Sequence, residues 1–396
     1  MANRTPKDSG HHVSHAPDRH TFDGVPHAHE GLADSLADRL RQAHLGLQDE
    51  ARFKALERMA IALYDPRTDT LKTFIHSSGD ANPLPHYTAK LSDAHALHEY
   101  FLKGEPRVVN DLSIYDGENA EHTRRLREEG YRSSYTVPMY HRGRFFGFIF
   151  FNSRKPGFFT QTVTHHLLVH AELIALLLIF EFRAMETLQA AVSTVREIGM
   201  HRDSGTGQHL DRMSRFAQVI ALELAGEKEL TDEYIEYLFQ FAPLHDIGKV
   251  AIPDSILLSS RSLVDEELTI MRSHVDKGVQ IIDHMIKSFS LESLHYTEIL
   301  RNIVASHHEA WDGSGYPLGL CGEDIPLEAR IVSLADVFDA LTSRRSYKQA
   351  WSVDEAISFV AEGAGIKFDA ACVAALRRAR PVLQEIQARF REDTFG

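Results

Sequence analysis

Residues His307-His308-Glu309-Ala310-Trp311-Asp312-Gly313-Ser314-Gly315-Tyr316-Pro317 combine two adjacent imidazoles with a stiff aromatic loop, and a His245-Asp246 pair lies upstream of them. Such pairs let a helical chain bring several nitrogen and oxygen ligands to closely spaced metal ions. Ile299, Ile303 and His307 are four apart, as are Leu300, Val304 and His308, so both histidines continue inward-facing apolar rows. His274 belongs to a helix striped by Leu268, Met271, Val275, Val279 and Ile282. Asp336 sits within the apolar run Ala329–Phe338, where an ionised carboxylate needs a partner or a metal. One inward histidine is usually a core residue with a satisfied hydrogen bond. Here His209, His245, Asp246, His274, His307, His308 and Asp336 coincide at such positions, which points to a metal centre.

Imidazole with carboxylate and no thiolate suits Fe, Mn, Zn or Ni. An Asp beside a His on one turn can bridge two ions while the His binds one. Two ions about 3.5–4 Å apart can activate water and clamp both oxygens of a phosphodiester in displacement. Lys249, one turn after His245-Asp246, is suited to place a point charge near a non-bridging phosphate oxygen.

The elements that must carry these groups fall into two regions. A helix is expected over Ala33–Glu57, then a strand ending at Tyr64, a turn at Asp65-Pro66-Arg67-Thr68-Asp69, and a partner strand over Leu71–His76. Val108–Leu112 and Ser134–Tyr140 are further short strands. Arg144–Asn152, with its run of Phe and Ile, reads as a strand covered on both faces. Val163 to Gly199 is one long helix, with Leu173, Leu176, Ile179 and Phe180 as a stripe that Leu188, Ala191 and Val195 extend. Such a helix can pair with its twin, so a homodimer is expected. Beyond Gly199 the pattern is all-α, with a helix starting at Thr231-Asp232-Glu233 and running into His245, and a capping box at Ser352–Glu355.

The 396 residues suit two domains, and the net charge of −13 argues against broad contact with duplex nucleic acid. Two cysteines, Cys321 and Cys372, fit a reducing compartment without a disulfide framework. No secretory signal is expected, and the longest apolar run, Leu173–Phe180, falls short of a membrane span, so a cytoplasmic protein is expected. Of the 24 histidines, His11, His12, His15, His20, His27 and His29 lie in a polar tail, residues 1–32, that reads as disordered.

Val137-Pro138, His141-Arg142-Gly143, Phe146-Gly147-Phe148-Ile149 and Phe159-Thr160 resemble the end of a GAF domain, a small sensor module with an antiparallel sheet flanked by helices. The resemblance implies an α/β domain over 33–180, with the linking helix 163–199 behind it. An unknown small molecule, or none, would bind there. His245-Asp246-Ile247-Gly248-Lys249, His307-His308-Glu309 with Trp311–Pro317, and Ala335-Asp336-Val337-Phe338-Asp339-Ala340-Leu341-Thr342 resemble the HD-GYP family, bacterial phosphodiesterases that hydrolyse cyclic di-GMP. That implies an all-α HD-type bundle over 200–396 and two divalent ions, Fe or Mn first, with Zn, Ni or Mg as alternatives. It implies metal ligation by the seven residues above with Asp246 bridging, and phosphate contact by Lys249. Tyr316, Arg345 and Lys348 would contact substrate, while Gly315 supplies unusual backbone angles and Pro317 stiffness.

The chain departs from the family at Gly205, where many relatives carry a Glu associated with a third metal. A two-metal centre is therefore expected, with the linear dinucleotide as the favoured product. The other readings are a different cyclic dinucleotide as substrate, a non-catalytic nucleotide receptor, and a di-iron oxygenase. The intact ligands and Gly-Tyr-Pro loop count against the receptor, and that loop with Lys249 counts against the oxygenase.

Overall fold

The computed structural model describes residues 35–79, 82–115, 121–199, 207–288, 296–343 and 350–390. The His-rich tail, His201, Gly205, Arg345 and Lys348 lie outside these. All the described residues belong to one compact unit.

Ser35 starts the first helix by accepting the Asp38 amide, and α1 runs over Leu36–Gln48. It stops short of the expected Glu57: a 3-10 turn at Ala51–Phe53 follows, and the chain is extended from Arg58. The strands are β1 (Arg58–Asp65), β2 (Thr70–Ser78), β3 (Thr88–Lys90), β4 (Arg107–Val109), β5 (Ser133–His141) and β6 (Arg144–Ser153). They form a six-stranded sheet, with every pairing antiparallel, in the order β3-β2-β1-β6-β5-β4. Helices α2 (His95–Lys103) and α3 (Glu121–Glu128) fill the connections. Phe148 and Phe151 of β6 point to opposite faces and both are fully buried, as the apolar run predicts. β3 has no signal in the sequence, because three residues are too few to show alternation. The Val108–Leu112 strand is shortened: Leu112 instead opens a 3-10 turn and tucks its side chain inward.

Helix α4 spans Gln161–Gly199, 39 residues. The expected single stripe divides between two faces. Leu178, Ile179, Phe182, Met185 and Leu188 are buried, whereas Val169, Leu173, Leu176 and Phe180 are exposed, Phe180 by 78%. The side chains of Ala191 and Val195 are outside the described set. Gln161–Ala190 is long and apolar enough to cross a membrane by length and composition, with mean hydropathy 1.8. The shorter span read from the sequence counted only the uninterrupted run.

The second region is helical: α5 (Gly207–Lys228), α6 (Asp232–Phe241), α7 (Asp254–Leu257), α8 (Asp265–Arg272), α9 (His274–Ser288), α10 (Thr297–Ser306), α11 (Leu327–Thr342), α12 (Val353–Glu362), α13 (Ala370–Arg378) and α14 (Arg380–Arg389). Helix α5 is central, packing on α6, α11, α13 and α14 through Phe216, Ile220 and Leu224. Thr231 caps α6 and Ser352 caps α12 in a full capping box, both as expected. Helix α6 does not run into His245; it stops at Phe241, and two 3-10 turns, Ala242–Leu244 and Ile247–Ala251, bracket the His-Asp pair.

The sheet region touches the helical region directly. Thr73 Oγ1 donates to Asp232 (2.8 Å), His86 Nδ1 lies 2.6 Å from the same carboxylate, and Lys72 pairs with Glu236 (3.1 Å). Arg215 pairs with Asp65 (2.7 Å), and the Leu36 amide donates to Glu233.

Gly147 of β6 has φ of +148°, and a Cβ there would lie 2.0 Å from the Ala62 carbonyl oxygen. Gly147→Ala should therefore destabilise the sheet by about 3 kcal/mol or more. The check is a drop in the urea midpoint; an unchanged midpoint contradicts this packing.

Candidate metal centre

Four short pieces of chain converge at the site. His245-Asp246 lies between the two 3-10 turns, and His274 begins α9 after a break at Ser273, not inside the continuous helix expected from Leu268 to Ile282. His307 caps the C-terminus of α10 with His308 next, and α11 carries Asp336. Two glycines permit the convergence. A Cβ on Gly248 would sit 1.8 Å from the His274 carbonyl oxygen, and one on Gly278 would meet Val304 at 2.7 Å.

Three of the imidazoles are locked in the same way. His245 Nδ1 donates to the Ala242 carbonyl (3.0 Å), His274 Nδ1 to Met271 (2.8 Å), and His307 Nδ1 to Ile303 (3.0 Å). A backbone carbonyl can only accept, so each ring keeps its proton on Nδ1 and presents a bare Nε2 lone pair. All three Nε2 atoms, and Asp246 Oδ1, are buried without a hydrogen-bond partner.

These orphaned atoms face one another. Asp246 Oδ1 is 3.4 Å from His274 Nε2 and 3.7 Å from His307 Nε2, while its Oδ2 is 3.3 Å from His245 Nε2. Ligand atoms of Asp246, His274, His307 and His308 all lie within 4.8 Å of one another. On the other side, Asp336 Oδ1 lies 3.8 Å from His209 Nε2 and 3.9 Å from His245 Nε2. Buried lone pairs this close, with no proton between them, fit a divalent cation. The arrangement offers two ligand sets, His274-His307-His308 and His209-His245-Asp336, with the Asp246 carboxylate between them.

The electrostatics of His308 and His274 agree with that fit. Burial, then His307, pushes the His308 pKa down to about 2, and burial lowers His274, so both stay neutral as ligands. For His245 burial works downward, but Asp246 and Asp336 outweigh it and raise the pKa. Burial likewise opposes ionisation of Asp246, but Lys249 and His245 hold it well below the carboxylate range. The Lys249 ammonium lies on Asp246 Oδ2 at 2.5 Å.

The sequence reading gave Asp339 no role. It is fully buried one turn beyond Asp336, accepting from His209 Nδ1 (2.6 Å), Arg212 Nε (2.7 Å) and Ser343 Oγ (3.0 Å). It thereby turns His209 Nε2 toward Asp336. The argument applied to Asp336, a carboxylate in an apolar helix, would have found it.

The loop beside the cluster is also fixed from behind. Glu309, nearly fully buried, accepts the Leu318 and Leu320 amides at 2.8 and 3.1 Å. The Tyr316 ring stacks on His308, centroids 4.7 Å apart, and the Arg272 guanidinium lies over Tyr316 at 5.0 Å. The Tyr316–Pro317 peptide is cis. Gly315 is needed for contact, not for an unusual angle: a Cβ would lie 2.3 Å from the Ala310 nitrogen, and its φ is not in the positive range. Arg272, at the exposed end of α8, is a second residue the sequence reading missed.

A profile described as HD domain matches residues 203–372, and one described as GAF domain matches 36–178. The chain is 41% identical over 210 residues to the cyclic di-GMP phosphodiesterase response regulator RpfG of Xanthomonas campestris, covering 53% of this chain and 52% of that one. It is 40% identical over 221 residues to a cyclic di-GMP phosphodiesterase of Vibrio cholerae, covering 53% and 44%. A 3'3'-cGAMP-specific phosphodiesterase 2 of the same species is 39% identical over 170 residues, covering 43% and 30%. The chain thus spans about half or less of the length of these relatives. It joins a GAF domain to an HD domain. The helical half matches an HD domain and is similar to cyclic di-GMP phosphodiesterases, in line with its motifs.

Asp339→Asn should weaken metal binding about 10–100-fold, read by calorimetric titration with Mn2+, because His209 loses its anchor. An unchanged affinity would remove Asp339 from the centre. In the metal-free protein, His122, lowered to about 4, and His308, lowered to about 2, take up protons more readily unfolded than folded. The contribution of these two rings to stability should therefore rise with pH up to the ordinary histidine value of 6.5 and flatten above it, as the difference in urea midpoint between wild type and His122→Gln across that range would show.

Proposed function

We propose that this protein is a metal-dependent phosphodiesterase that opens cyclic di-GMP. The observation that carries the reading is the Asp246 carboxylate between two sets of buried imidazole lone pairs, beside the Tyr316 loop. His209, His245, Asp246, His274, His307, His308 and Asp336 hold two divalent ions, Fe or Mn. Such ions supply a water-derived nucleophile and neutralise phosphate charge.

The remaining roles belong to the chain itself. Lys249, now on Asp246, offers its ammonium to a phosphate oxygen once the carboxylate is otherwise engaged. Tyr316, backed by His308 and flanked by Arg272, is a stacking surface for a purine. Gly315 and Pro317 shape that loop, and Arg345 and Lys348 add cations for the phosphates. Gly205 provides no third-metal ligand, so the product is the linear dinucleotide pGpG. A second cyclic dinucleotide is the runner-up substrate, supported by the resemblance to the cGAMP-specific relative.

Control by the GAF domain rests on the polar clasp. Thr73 lies both in the wall of a GAF cavity and on Asp232, at the start of the helix that leads toward His245-Asp246. For the exposed row Val169, Leu173, Leu176 and Phe180, spaced by four, three and four, we assign a second copy as partner. The face is thereby covered in a cytoplasmic homodimer.

Incubation of Mn-loaded protein with cyclic di-GMP should yield pGpG on chromatography. Replacing His245 and Asp246 together by Ala should lower turnover by at least roughly a thousandfold. Tight binding with no turnover by the wild type would favour a receptor, and retained turnover in the double variant would refute the assignment. Leu173→Glu with Phe180→Glu should shift the light-scattering mass from dimer to monomer. A mass unchanged by these charges would reject the α4 interface.

A further inference from the structure

The GAF domain buries a cation that no carboxylate balances. Arg58, on β1, is only 2% exposed. Its Nη1 donates to Asn152 Oδ1 at 2.9 Å, and its Nε is buried with no partner. No carboxylate pairs with it among the described residues. Asn152 is spent on the same corner, donating to Ser134 Oγ at 3.1 Å. Burial alone lowers the guanidinium pKa to about 10, a measure of how poorly the site tolerates the charge. A guanidinium in an apolar interior without an anion is costly, and its planar fork matches a carboxylate or another planar oxyanion.

The same side chain lines a cavity. On β1 the residues sharing the Arg58 face are Ala60 and Ala62, small enough to leave space beneath Phe150 and Tyr87. Ser134 and Thr136 of β5 contribute hydroxyls to the wall, and His122 of α3 closes another side. Burial, then Arg107, holds His122 down to about 4, so it faces the cavity neutral, and Arg58 and Arg107 supply the positive charge of the wall. The cavity measures about 70 Å³. That is well below the roughly 300 Å³ at which pockets for drug-sized ligands begin.

We infer that this cavity is a binding site for a small planar monoanion, a short-chain carboxylate or similar oxyanion, held by the Arg58 fork. The inference stands on the GAF domain alone and is independent of the hydrolase reading. At this volume the cavity suits an occupant smaller than base and ribose. The anion meets the Arg58 guanidinium where it lines the cavity, with Ser134 and Thr136 donating their hydroxyls and the short apolar end on Ala60 and Ala62.

The test is differential thermal denaturation and calorimetric titration of the full chain with acetate, propionate and nitrate. Acetamide and propionamide serve as neutral isosteres, and sodium chloride as the ionic-strength control. At least one anion should raise Tm and bind saturably, with its amide at least about tenfold weaker. Arg58→Met should abolish that binding, and Arg58→Lys should weaken it by about tenfold or more while leaving it detectable. The wild-type comparison of anion with amide decides the matter even if Arg58→Met does not fold. Equal binding of the amides, no binding of any of the three anions, or displacement of a bound anion by cyclic GMP would each overturn the inference.

Discussion

The site depends on three backbone carbonyls. The carbonyls of Ala242, Met271 and Ile303 each accept a hydrogen bond from the Nδ1–H of a histidine three or four residues on, so three rings present bare Nε2 atoms inward. Left alone in a buried pocket, those lone pairs and Asp246 Oδ1 would be destabilising. Much of the surrounding architecture serves to bring them together. α6 breaks before His245, α9 restarts at His274, and Gly248 and Gly278 let the 3-10 segment lie against α9 at backbone contact distance.

A second layer orients what the carbonyls do not. Asp339 anchors His209 and is itself held by Arg212 and Ser343, so the side facing α11 is as constrained as the side facing α9. Glu309 does the equivalent for the loop, using both carboxylate oxygens on the Leu318 and Leu320 amides to keep Tyr316 against His308. Catalytic precision in such a centre comes from these outer contacts as much as from the ligands.

What the sequence made legible follows from the range of the interactions. His307 and His308 announced themselves through helical periodicity, and Ser352 through its capping box, because both signals are local. The strands around Phe148 were visible from their apolar runs. β3 was not, being too short, and the breaks at Phe241 and Ser273 were hidden because apolar spacing carries on through them. Asp339 was within reach, since a carboxylate in an apolar helix asks the same question as Asp336. The clasp of Thr73, His86 and Lys72 on α6 was out of reach, because it joins residues far apart in sequence with no local pattern. Gly315 was singled out for the wrong reason: the constraint is a 2.3 Å approach, not a backbone angle.

The central claim is that Asp246 lies between two ligand sets that hold two ions. Anomalous diffraction from crystals grown with Mn2+ tests it most directly. Two peaks about 3.5–4 Å apart, on either side of the Asp246 carboxylate, are the predicted result. A single peak, a third peak at the centre, or peaks away from Asp246 would contradict the account.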